Sequence, residues 1–207
     1  MATPLDHHEE HRTGKVKAAR LFSNIVSPPV MFALLGLAFS LYERPSWNGL
    51  LWAAVYGFFV ALLPILIVLY LLKTGRITEL HMSNTSERHI PYISAVLSAG
   101  IAFALVSLFD GPELLRCLTI FNMIELAALG LINPFWLISI HSTGAMATML
   151  LVGLVFGWAY SLLVLPFVIL VCWVRLYLRR HTPMQIAAGL GLGVVTVFIM
   201  TLIGCFI

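Results

Sequence analysis

The chain has 207 residues, 60% of them hydrophobic and 10% charged, with a formal net charge of +3. That balance excludes a water-soluble globule and describes an integral membrane protein. The positive excess is small and forms no basic block interleaved with exposed aromatics, so no nucleic-acid partner is expected.

Residues 1–20, MATPLDHHEEHRTGKVKAAR, are polar and do not read as a cleavable signal peptide, so a retained N-terminal tail is expected ahead of a single transmembrane domain over 21–207. A spanning helix needs about twenty mostly apolar residues. Seven runs meet that need, roughly 21–42, 49–72, 91–109, 113–132, 142–160, 162–178 and 184–207. The predicted fold class is therefore all-α, a polytopic bundle of about seven transmembrane helices. Pro28 and Pro29 predict a late start or a kink in the first run. The third and fourth runs, and again the fifth and sixth, are so close that each pair reads as a helical hairpin. Gly153 with Gly157, and Gly189 with Gly193, have the four-residue spacing that lets helix backbones approach. Cys117, Cys172 and Cys205 lie in apolar runs with neither a pairing pattern nor metal-ligand spacing, and are expected to be small buried hydrophobes.

Crossing the membrane alternately places the tail and the segments 73–90, 133–141 and 175–183 on one face. Ten of the twelve Lys and Arg, all but Arg44 and Arg116, fall there. The positive-inside rule makes that face cytoplasmic, in a multi-pass protein of the cell (inner) membrane. His81, His89, His141 and His181 lie in the same segments. Imidazoles and guanidinium groups on the ends of different helices build a cationic pocket, and phosphate is the obvious occupant because Arg forks match its oxygens. Arg179 and Arg180 are expected to snorkel to the headgroups, and Lys73 and Arg76 to set topology.

Three segments resemble, in order, the motifs of the type 2 phosphatidic-acid phosphatase superfamily, K-x6-R-P, then P-S-G-H, then S-R-x5-H-x3-D. The third is the nearest: Arg175, five residues and His181, with Val174 in the Ser position and Gln185 in the Asp position. The second is ISIH, which keeps Ser139 and His141. The first is His81-x6-Arg88-His89, with His in place of Lys and of Pro. The resemblance implies a helical core shared with vanadium haloperoxidases. It also implies a lipid phosphatase acting on a phosphomonoester or pyrophosphate such as phosphatidic acid or an isoprenyl diphosphate. His181 would attack phosphorus to form a phosphohistidine, and His141 would protonate the leaving alkoxide. His81, Arg88, Ser139 and Arg175 would bind the phosphoryl oxygens. Gln185 would orient His181 but supply no charge, unlike an Asp. The partner implied is a membrane lipid with a phosphate headgroup, and no metal or other cofactor is required.

Thr182, Pro183 and Gln185 read as a T-x-x-Q capping box that starts the last helix and aims its positive end at the pocket. Asn122 and Glu125 share one face of the fourth run, where Glu125 either orients a site histidine or forms a structural node. The departures from the motifs keep an alternative in view: a non-catalytic protein that binds an anionic lipid, or an oligomeric or structural subunit of a membrane complex.

Overall fold

The structure, a computed structural model, describes residues 4–6, 13–79 and 87–206. Among them the chain is helical throughout, with no strand. Helix α1 (Gly14–Ile25) is amphipathic; Val16, Ala19 and Phe22 pack on Val174, Tyr177 and Leu178, while Lys15, Lys17 and Leu21 are exposed. It spans the boundary between the expected tail and membrane domain. Helix α2 (Pro28–Glu43) follows at a bend of 46°. Pro28 and Pro29 occupy its first turn, where a missing N–H costs nothing, so they end α1 and start α2 without breaking either.

Helices α3 (Trp47–Gly57) and α4 (Leu63–Lys73) form one 27-residue rod joined by a π turn at Phe58–Leu62. Such a turn misaligns backbone carbonyls, and the hydroxyl of Ser98, on the neighbouring helix, donates to that of Phe59. Helices α5 (His89–Leu108) and α6 (Glu113–Ile132) make the expected hairpin. The carboxylate of Glu43 accepts from the N–H groups of Glu113 and Leu114 at 2.7 and 2.8 Å and so caps α6 from outside.

Helices α7 (Ile140–Phe156), α8 (Trp158–Tyr177) and α9 (Pro183–Leu202) complete the bundle, with α7 packed against both others. Gly157 is the hinge between α7 and α8, at φ +108°, rather than a packing glycine. Gly189 and Gly193 do pack: a Cβ there would lie 2.7 Å from the Ser139 carbonyl and 2.6 Å from that of Thr143. This contact holds the starts of α7 and α9 side by side.

Among the described residues five helices are long and apolar enough to cross a membrane, or six if the bent α1–α2 pair is one span. The fifth predicted run corresponds to α7, which has only 17 residues. One expectation is corrected: Cys117 and Cys205 form a disulfide, Cα to Cα 5.6 Å, between the first turns of α6 and the chain just past α9. The residues are 88 apart in sequence, and only the packing of α6 on α9 brings them together. Cys172 remains free.

Candidate functional site

The site lies where α8 turns into α9. Arg179 sits in the left-handed region at φ +54°. The Arg180 N–H donates to the Arg175 carbonyl at 3.1 Å and the Arg179 N–H to that of Leu176 at 2.9 Å. This is a Schellman stop, with an arginine where glycine is usual. It turns the chain sharply enough to bring His181 back onto the side chain of Arg175, six positions earlier. The next turn carries the predicted capping box: Thr182 N–H donates to Gln185 Oε1 at 2.9 Å and Gln185 N–H to Thr182 Oγ1 at 3.3 Å.

Arg175 is 5% exposed. Its Nη1 donates to Ser23 Oγ at 2.9 Å and its Nη2 to His181 Nε2 at 3.2 Å; its Nε makes no hydrogen bond and it pairs with no carboxylate among the described residues. A guanidinium only donates, so His181 Nε2 is the acceptor and the ring is neutral. Its pKa is pushed down to about 3, first by burial and then by the charges of Arg175 and Arg88. Nδ1 lies buried beside the Leu137 backbone without a hydrogen bond of full geometry.

His141 stands in the first turn of α7, its Nε2 3.2 Å from the Ser23 carbonyl. Carbonyls only accept, so this nitrogen carries a hydrogen. Arg88 caps α5, where Glu87 is tied to Thr78. Tyr92, one turn on, bonds Arg88 and accepts from Asn133 Nδ2 at 2.6 Å, and burial lowers the pKa of Arg88 from its ordinary value.

Arg88, His141, Arg175 and His181 line one cavity of about 380 Å³, within the range of small-molecule pockets, ~300–1,000 Å³. Ser23, Asn24 and Ser27 border it at the α1–α2 bend, and Pro64, Ile65 and Val68 of α4 with Pro91 and Ala95 of α5 form an apolar wall. Ser27, Arg88 and Ser139 begin α2, α5 and α7, and His181 immediately precedes the cap of α9. Four helix N-termini, each carrying partial positive charge, therefore meet around the cavity.

The remaining predicted residues fall elsewhere. Ser139 caps α7, accepting from Ser142 N at 3.3 Å and Ser142 Oγ at 3.0 Å, and does not line the cavity. Gln185 is spent on the capping box. His81 lies outside the described residues. His89, Lys73 and Arg76 are exposed. Arg180 does not snorkel: it is buried, with Nε and Nη2 both 2.9 Å from the carboxylate of Asp6, which also pairs with Arg20. Glu125 bonds neither histidine. Its Oε1 is buried without a hydrogen bond, while Asn122 donates to Tyr56 Oη at 2.8 Å. Among the described residues no three His, Cys, Asp or Glu side chains converge as a metal site would require.

Sequence reasoning missed Ser23, Asp6, Tyr92 and Asn133. None belongs to a motif; Ser23 and Asp6 come from the far end of the chain, 152 and 174 positions from Arg175 and Arg180, while Tyr92 lies one turn along α5 from Arg88 and meets Asn133 across 41 positions. Comparison with protein-family models, curated proteins and solved structures finds no match.

Proposed function

We propose that the protein is a membrane lipid phosphatase of the type 2 phosphatidic-acid phosphatase kind, hydrolysing a phosphomonoester or pyrophosphate on a lipid through a phosphohistidine. One observation carries the reading: Arg175 is buried, is hydrogen-bonded to no carboxylate among the described residues, and faces a cavity it shares with Arg88, His141 and His181. An isolated buried cation is costly, and an oxyanion in the cavity offsets that cost. The apolar α4–α5 wall suits the chain of an amphiphile.

In the first step the lone pair of His181 Nε2 attacks phosphorus, the P–O ester bond breaks, and His141, entering as the imidazolium, gives a proton to the leaving alkoxide and becomes neutral. In the second, water attacks phosphorus and gives a proton to His141 as the new O–P bond forms, the N–P bond breaks with its electron pair returning to His181 Nε2, and phosphate departs. The low pKa of His181 keeps it neutral, as a nucleophile must be. Arg175 has first to exchange Nε2 for a phosphoryl oxygen, as substrate binding would make it do.

Seven crossings with the cationic end cytoplasmic belong to this reading. At about 1.5 Å per residue, α7 spans roughly 25 Å, close to the hydrocarbon thickness. The disulfide lies at the far end of α9, about 30 Å from His181 by the same rise, and disulfides persist on the oxidising side.

Purified protein in detergent should release phosphate from phosphatidic acid or an isoprenyl diphosphate, and His181→Ala should abolish release. Full activity in that variant refutes the mechanism. A second reading, an anion-binding protein without turnover, is favoured by Gln185 being occupied as a cap and by Arg175 holding the His181 lone pair. It requires phosphate binding without hydrolysis even in Gln185→Asp.

A further inference from the structure

Ser23 lies in the last turns of α1, outside every motif, yet it touches two of the four cavity residues. Its Oγ accepts from Arg175 Nη1 at 2.9 Å and its carbonyl lies 3.2 Å from His141 Nε2. It is 3% exposed and borders the cavity. Because Arg175 only donates, the Ser23 oxygen is the acceptor and its own hydrogen remains to be given away. That hydrogen has no acceptor among the described residues. A buried hydroxyl normally finds one. The hydroxyl that the motif resemblance nominates, Ser139, is fully buried and committed to capping α7.

We infer that Ser23 is a binding residue of the cavity, donating its hydroxyl hydrogen to a phosphoryl oxygen while its oxygen stays on Arg175, and that the group so held is the phosphate of a phosphomonoester lipid. This rests on the reading of the cavity as a phosphate site. Arg175 and Ser23 then act as a paired donor. The oxyanion displaces His181 from Nη2, freeing the nucleophile, and Nη1 keeps its bond to Ser23. The first helix, which a motif-based view leaves as an anchor, becomes one wall of the binding site, and its carbonyl at Ser23 sets which nitrogen of His141 carries hydrogen.

The test is calorimetric titration of the purified 207-residue chain in detergent with inorganic phosphate and with a short-chain, non-hydrolysable phosphonate analogue of phosphatidic acid as the lipid. Wild type should bind both, the lipid more tightly. Ser23→Ala should bind each about tenfold more weakly, the effect of removing one hydrogen bond to a charged group. Ser23→Thr, which keeps the hydroxyl, should stay within about threefold of wild type on the same scale. Wild-type affinity in Ser23→Ala, or equal losses in the Ala and Thr variants, overturns the role of the hydroxyl and leaves the cavity reading standing. No phosphate binding by wild type, or no change in Arg175→Ala, removes the cavity reading and this inference with it. Equal affinities for the lipid and for inorganic phosphate overturn the assignment to a lipid.

Discussion

The two ends of the bundle are built on different principles. At the far end, Cys117 is bonded to Cys205, Phe39 packs between Phe156 and Phe206 at centroid distances of 5.7 and 5.8 Å, and Glu43 caps α6. Those groups are covalently joined, apolar or satisfied. At the near end, Arg175, Arg180 and His181 are buried together, and Arg175 Nε lacks a partner. Packing quality and ligand readiness are thus separated along the helices: one end holds the bundle closed, and the other keeps charge in a state that a bound anion would relieve. Sites of this kind are where local rules of satisfaction are broken.

The comparison is broken most directly at Asp6. Removing one partner of a buried ion pair leaves the other charge uncompensated, so Asp6→Ala should destabilise the protein by about 3–5 kcal/mol. Adding Arg180→Met should restore most of that loss. Chemical denaturation in detergent measures both, and an unchanged midpoint in Asp6→Ala would mean that the tail contributes nothing to the near end. At the far end, replacing Cys117 and Cys205 together by Ala should cost about 2–4 kcal/mol. Phosphate binding should be unaffected, because the disulfide is a helix length away. A loss of binding there would show that the two ends are coupled.

The smallest effect comes from pH. The unfolded chain has an ordinary histidine pKa near 6.5, whereas folding holds His181 at about 3. Between those values the unfolded state binds the extra proton, so stability is full above about pH 6.5 and falls as the solution is acidified, by at most about 1.4 kcal/mol per pH unit. Thermal unfolding of wild type and His181→Gln at pH 7 and pH 5 should show the larger decrease in wild type. Equal decreases would place His181 in a wetter environment than the structure shows.

Local signals in the chain were strong where a single element decides the outcome. The T-x-x-Q cap, the prolines at the start of α2 and the tight α5–α6 turn are satisfied within a few residues, so spacing reveals them. Arg175 and His181 were legible for the same reason, since a turn between two apolar runs had to reverse the chain. Ser139 and Gln185 were nominated by motif position, but each is used by its own helix start. Arg180 was expected at the headgroups because its partner, Asp6, is 174 positions away.

Composition and hydrophobic run length, by themselves, determined an all-helical chain with helices long and apolar enough to cross a membrane, and where its charges cluster, because desolvating twenty backbone groups in lipid leaves helix as the local solution. Which side chains share the cavity, which cysteines join, and that Ser23 and Asp6 belong to the cationic end were settled by tertiary packing alone. Those contacts depend on the close approach of α7 to α9 at Gly189 and Gly193 and on the return of α1 across α8. Distances between helices are set by the sum of many packing contacts, and no local stretch of residues encodes that sum.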